Sequence, residues 1–174
     1  NDANLVFDGV SPGDGGSTFF YNPQNTAWSV AGTGTVRFLG SSSFNNLGSG
    51  SAALTLGPNV LLRNDPGGSA RIAMGTGGVV RGTVIADGQR LDLSGTNWTN
   101  EGTLRAANGG TFGVFGLTAN AGLIDLGADG LLSTNNANLL NTGTIQGTGT
   151  LDLTTDSVNV ETLTNRGTLR RGDA

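Results

Sequence analysis

Hydrophobic residues in this 174-residue chain come in short runs rather than long faces. Leu91-Asp92-Leu93, Thr111-Phe112-Gly113-Val114, Leu131-Leu132 and Leu151-Asp152-Leu153 are each bounded by Gly, Asn or Asp, and two of them alternate apolar and polar residues. Runs of this length and pattern predict β-strands, because alternate strand side chains point to opposite faces. A helical period is missing, and helix-forming residues are scarce: there is no Lys, Glu occurs only at Glu101 and Glu161, and Met only at Met74.

The runs repeat. Asn100-Glu101-Gly102-Thr103-Leu104, Asn120-Ala121-Gly122-Leu123-Ile124, Asn141-Thr142-Gly143-Thr144-Ile145 and Asn165-Arg166-Gly167-Thr168-Leu169 share one unit, Asn-x-Gly-Thr-aliphatic, with Leu123 in place of Thr in the second copy. Arg81-Gly82-Thr83-Val84 is the same unit without its Asn. Successive glycines are 20, 20, 21 and 24 residues apart. Weaker copies, such as Gly32-Thr33-Gly34-Thr35-Val36-Arg37-Phe38, Leu54-Thr55-Leu56 and Val60-Leu61-Leu62, carry the pattern back to about residue 30.

A fixed phase near 20 residues with two or three short strands per period predicts an all-β chain wound as a right-handed parallel β-helix. Division of 174 residues by that period gives about eight or nine coils. An antiparallel sandwich would account for the strand lengths but not for the Asn-Gly phase. In the coil reading, Gly sits at a corner where φ > 0 is needed. Asn100, Asn120, Asn141 and Asn165 then form a ladder beside Gly102, Gly122, Gly143 and Gly167, the aliphatic residue two after each Gly points inward, and the intervening Thr points out. Residues 1–30 stand apart from the solenoid repeats of 31–174. They hold Phe7, Phe19, Phe20, Tyr21 and Trp28, half of the ten aromatics, with turn clusters at Gly13-Asp14-Gly15-Gly16 and Asn22-Pro23-Gln24-Asn25. An irregular first coil or cap is expected there, with an aromatic sugar platform as the alternative.

Composition narrows the chemistry. Gly contributes 31 residues without a G-X-Y period, which excludes collagen, and His and Cys are absent. Ordinary zinc sites, thiol nucleophiles, Ser-His-Asp relays and disulfides therefore have no residues to build them. Without Lys there is no P-loop and no Schiff base. A net charge of −4 with nine scattered Arg residues argues against nucleic acid, and no apolar run is long enough to span a membrane as a helix. The chain opens on Asn1 rather than Met, as a processed or excised segment would.

The Asn-x-Gly-Thr-Leu/Ile units, with Gly147-Thr148-Gly149-Thr150-Leu151-Asp152-Leu153 between two of them, resemble the passenger repeats of bacterial autotransporters and of filamentous-haemagglutinin-like exoproteins over about residues 30–170. The resemblance implies a right-handed parallel β-helix on a bacterial surface, serving as adhesin, stalk or fibre, and it brings no catalytic residue with it.

Candidate chemistry in the residues is sparse. A glycosidase needs two carboxylates facing one cleft; of Asp87, Asp92, Asp125, Asp129, Asp152 and Asp156, the equivalent pair Asp92 and Asp152 would lie three coils and about 14 Å apart. Gly127-Ala128-Asp129-Gly130 and Gly13-Asp14-Gly15-Gly16 are isolated fragments of a calcium-repeat pattern, so no metal site is expected. Thr83, Thr103, Thr144 and Thr168 line up as an ice-binding face would, but Leu123 interrupts them. Asn97-Trp98-Thr99 is a glycosylation sequon, and Arg171-Gly172-Asp173 matches an integrin-binding tripeptide by composition alone. The expectation is a non-enzymatic, extracellular structural or adhesive segment without cofactor. The alternative is a carbohydrate-active or carbohydrate-binding module, and surface glycans are a conceivable ligand class in either case. The full unit Asn165–Leu169 at one end and the strand-like Asn4-Leu5-Val6-Phe7 at the other suggest head-to-tail self-association or continuation in a longer chain, through Leu5, Phe7, Arg166, Leu169 and Arg170 with support from Arg171, Asp2 and Asp8.

Overall fold

The computed structural model describes residues 3–8, 19–20, 26–39, 45–48, 51–135, 138–153 and 162–171. Among these residues the regular structure is β throughout, and every strand pairing is parallel. The chain is a parallel β-solenoid with three strand runs per coil. The first face is an eight-stranded sheet of Ala3–Asp8, Gly34–Leu39, Val60–Asn64, Thr83–Asp87, Thr103–Ala107, Leu123–Leu126, Thr144–Gly147 and Thr168–Arg171, stacked in sequence order. The other two runs share a second sheet. In the middle coils they fuse into single bent strands, Arg90–Asn100 and Thr111–Asn120. The register slips between Ser94 and Trp98 at that bend, where Asn97 takes a φ of 53°.

The spacing of the Gly units is the length of one coil. On the first face Thr83 pairs with Thr103, Thr103 with Leu123, Leu123 with Thr144 and Thr144 with Thr168. Coils of about 21 residues therefore carry the corner glycine through about five turns, at Gly82, Gly102, Gly122, Gly143 and Gly167. A uniform 20-residue division does not hold further back. Ala3 pairs with Gly34, Gly34 with Val60, and Leu61 with Thr83, so the earlier coils are longer and their repeat is blurred.

Inward residues stack into columns. On the first face Val36, Leu62, Val84, Leu104, Ile124 and Ile145 are successive partners and all are buried. Leu91, Phe112 and Leu132 form another such column, and Trp98 and Leu117 belong to a third, all fully buried. Each such aliphatic or aromatic side chain contributes about 1.5–3 kcal/mol of transfer free energy. Thr83, Thr103 and Thr144 flank this core and are half-buried, while Leu169 in the last strand is 54% exposed.

One expectation is corrected here. The glycines of the Asn-x-Gly unit are not in the left-handed region; positive φ occurs elsewhere, as at Asn108 (52°), Gly109 (73°) and Asp129 (57°). Gly is required at the unit for close approach. A Cβ on Gly122 would collide with the Gly102 carbonyl oxygen and stand 2.8 Å from that residue's backbone nitrogen, and one on Gly102 would lie 2.6 Å from the Arg81 carbonyl carbon. The coils touch backbone to backbone because Leu123 N donates to Gly102 O at 2.8 Å and Thr144 N to Gly122 O at 2.9 Å. The same crowding recurs at the other two corners, where a Cβ on Gly95 would strike Gly75 and one on Gly110 would strike Ala86.

Residues 1–30 are described only at 3–8, 19–20 and 26–30, and there Ala3–Asp8, Phe19–Phe20 and Trp28–Val30 pair in parallel with later strands. Tyr21, both N-terminal turn clusters, Asp2 and the Gly172-Asp173 half of the tripeptide lie outside the described residues.

Candidate functional site

The most organised polar feature lies inside the rod. Asn100, Asn120 and Asn141 are fully buried and are in-register partners on the third face, with Asn165 beneath them. Asn100 Nδ2 donates to Asn120 Oδ1 at 2.7 Å, Asn120 Nδ2 to Asn141 Oδ1 at 2.6 Å, and Asn141 Nδ2 to Asn165 Oδ1 at 2.7 Å. Each amide also reaches backbone past the next corner: Asn100 donates to Leu123 O at 3.1 Å and Asn120 to Thr144 O at 3.3 Å. Asn165 Nδ2 donates to Gly167 O at 3.2 Å, the bond that Asn100, Asn120 and Asn141 make at 3.4 Å to Gly102, Gly122 and Gly143 O. All four amides therefore point the same way along the axis, and bonds aligned head to tail polarise one another.

The ladder has a start. In earlier coils its column holds Val30, Leu56 and Val80. Val80 offers Asn100 Oδ1 nothing, and that buried oxygen has no hydrogen-bond partner. Glycines 102, 122, 143 and 167 sit two residues after each rung, so the tight corner and the buried amide are set by one motif.

Charged side chains form a second feature, centred on the buried Asp65 and Asp87, that the repeat units do not reveal. Arg37 and Arg63 both pair with Asp65, Arg63 pairs again with Asp87, and Asn108 Nδ2 donates to Asp87 Oδ1 at 2.7 Å. Arg81 meets Glu101 at 2.9 Å and Arg105 meets Asp125 at 3.4 Å in the following coil. Four of these six described ion pairs (Arg90–Asp92 completes the set) join one coil to the next. The only sequence trace of the Arg37–Asp87 chain is that Asp65 and Asp87 recur 22 residues apart, at the C-terminal ends of neighbouring first-face strands.

The candidate carboxylates do not converge. Asp87, Asp92 and Asp125 face Arg63, Arg90 and Arg105. Asp92, Gly113, Ser133 and Asp152 are successive partners, which places Asp92 and Asp152 three coils apart. Asp129 is exposed on its turn, and Asp156 lies outside the described residues. No group of three metal-ligating side chains occurs among the described residues, and no helix there is long and apolar enough to cross a membrane. Trp98 is interior, donating Nε1 to Phe115 O at 2.8 Å, with Asn97 exposed beside it. The Thr column is Thr83, Thr103, Leu123, Thr144 and Thr168. At its C-terminal end lies an open groove of about 570 Å³ lined by Gly122, Leu123, Thr144, Gln146, Thr168 and Arg170.

The sites suggested at the ends are separated by the whole stack. Leu5 and Phe7 are in the first strand of the first sheet, as partners of Val36 and Phe38. Leu169 and Arg170 are in its last strand, as partners of Ile145 and Gln146. Arg166 is exposed at the corner before it.

These features define a class by architecture: a parallel β-solenoid whose buried amides and charged pairs bond coil to coil, a fold consistent with bacterial β-helix proteins in general. Compared with protein-family models, with curated proteins and with solved structures, the chain matches none.

Proposed function

We propose that this chain is a non-enzymatic structural segment of a bacterial surface protein, a right-handed β-helix of eight or nine coils serving as stalk or adhesive rod. The observation that carries this reading is where the polar chemistry is spent. Three amide–amide bonds and four ion pairs run between coils, so side chains that a catalytic cleft would turn toward a substrate instead tie the rod along its axis. Backbone bonds parallel to the axis and a continuous apolar interior suit a load-bearing spacer. Residues 1–30 serve as its first coil or cap. An extracellular location and kinship with autotransporter passengers or filamentous-haemagglutinin-like proteins are part of the same proposal, resting on the Asn-x-Gly-Thr unit. The second reading, a glycan-binding module, has the groove at Thr144, Gln146, Thr168 and Arg170 in its favour.

Single-molecule pulling on the purified chain tests the mechanical reading. Coils should peel off one at a time, those of the Asn-x-Gly block each releasing about 21 residues or roughly 70 Å of contour and the N-terminal ones more. Cleavage of a polysaccharide by the purified chain would overturn the proposal. Saturable binding on a glycan array, abolished by Arg170→Ala, would replace it with the second reading.

A further inference from the structure

We infer that Asn108, at the corner between the first and second faces, is a site of spontaneous deamidation by water, and that its conversion unbalances the ionic chain of Arg37, Asp65, Arg63 and Asp87. Asn108 is the one asparagine of the sequence that precedes a glycine. The turn of residues 107–110 is closed by Gly110 N donating to Ala107 O at 2.8 Å. Its two central residues, Asn108 and Gly109, are left-handed, with φ of 52° and 73°. Asn108 is exposed, and a Cβ on Gly109 would have nothing within 4 Å. No neighbouring atom therefore walls off the approach of the Asn108 side chain to the Gly109 nitrogen.

Two other described corners carry an Asx-Gly pair, Asp87-Gly88 and Asp129-Gly130, and their hydrogen bonds set them apart. Gly88 N donates to Ala107 O at 3.0 Å and Gly130 N to Gly127 O at 2.9 Å, so both nitrogens are engaged. Gly109 N donates to no group among the described residues. Asn97 is also exposed and left-handed, at 53°, but it precedes the buried Trp98. In the reaction Gly109 N gives its proton to solvent and attacks Asn108 Cγ. The Cγ–Nδ2 bond breaks, and Nδ2 leaves as ammonia with a proton from solvent. Water then opens the resulting succinimide, and nothing is oxidised or reduced. Attack at Cγ leaves aspartate at position 108. Attack at the main-chain carbonyl carbon leaves isoaspartate, which adds a methylene to the turn.

The consequence follows from what Asn108 holds. Its Nδ2 donates to Asp87 Oδ1 at 2.7 Å, and Asp87 is also the partner of Arg63. Arg37, Asp65, Arg63 and Asp87 balance one another in charge, and a neutral amide completes the set. Deamidation replaces that donor by a carboxylate facing the buried Asp87, where like charges repel. One bond between coils is lost, and the corner is pushed off its neighbour.

Ageing the purified chain in mildly alkaline buffer, followed by peptide mapping, tests the site. The mass gain of amide-to-acid conversion should appear at Asn108 about tenfold or more faster than at Asn97. Isoaspartate should form at Asn108 and not at Asp129. Asn108→Asp, the direct product, should unfold at a lower urea concentration than Asn108→Gly, which keeps the left-handed turn and only removes the bond. That gap should narrow as salt is added. No gain at Asn108, an equal gain at Asn97, equal isoaspartate at Asp129, or an Asn108→Asp variant as stable as Asn108→Gly would overturn the inference. The site goes beyond the stalk reading: a chain that ages at Asn108 yet cleaves a polysaccharide would sink the stalk and leave the site standing.

Discussion

Replacing Asn120 by Val should cost far more than replacing Asn100 by Val, although both side chains are fully buried one coil apart in one column. Asn100→Val removes one amide–amide bond and leaves Asn120 Oδ1 orphaned. It also removes the orphan that is already there, Asn100 Oδ1. The count of unsatisfied buried oxygens stays at one, and the loss is that of the amide–amide bond and of the bond to Leu123 O, about 0.5–1.5 kcal/mol each, reduced by the apolar gain of Val beside Val80. Asn120→Val breaks the bonds on both sides. Asn100 Oδ1 remains orphaned and Asn141 Oδ1 joins it.

Asn120→Val loses one amide–amide bond more than Asn100→Val, and the extra orphan it leaves costs about 1–3 kcal/mol, so the two variants should differ by at least that orphan cost. Asn and Val are close in volume, so cavity terms largely cancel. Equilibrium urea unfolding followed by far-UV circular dichroism reads the difference directly, as a gap of roughly 0.5–1 M between the two midpoints. Equal midpoints would refute the directional ladder. So would a lower midpoint for Asn100→Val than for Asn120→Val.

Gly122→Ala should destabilise by about 3 kcal/mol or more, because only backbone faces the new methyl. Gly109→Ala, at a φ of 73° with nothing within 4 Å of a Cβ, should cost only the left-handed strain of about 1–2 kcal/mol; thermal melts of the two compare crowding with φ, and the reverse order would restore the φ explanation. Ile145→Asp, at 6% exposure between Ile124 and Leu169, should lose about 3–5 kcal/mol by burying an unpaired charge. Thr144→Asp beside it should lose under about 1 kcal/mol, and equal losses would refute the register.

What the sequence disclosed followed from what repeats. The unit at Asn100, Asn120, Asn141 and Asn165 was legible because three constraints coincide within five residues: a buried amide, a corner without room for Cβ, and an inward aliphatic. The reason for its glycine was not legible, since crowding and positive φ select the same residue. The longer N-terminal coils hid their repeat, because extra residues change the spacing while the register across the sheet continues. The Arg37–Asp65–Arg63–Asp87 chain was invisible for another reason: its partners are 28, 2 and 24 residues apart, and no single spacing joins them. The glycine columns at the other two corners were present as Gly75, Gly95 and Gly116, and as Gly110, Gly130 and Gly149. They carry no companion residue that would set them apart among 31 glycines.

The switch from Val80 to Asn100 also explains why the amides occur as one uninterrupted run. A lone buried Asn in this column would leave its Oδ1 unsatisfied with no amide–amide bond to offset it. Each further Asn added in register brings one more such bond, while the number of orphans stays at one, because only the first rung lacks a donor above it. The unfavourable term is fixed and the favourable one grows with ladder length, so scattered asparagines are the worst arrangement and a contiguous block is the best. The run from Asn100 to Asn165 is such a block. A single apolar substitution at an inner rung splits one ladder into two and makes each part carry an orphan of its own.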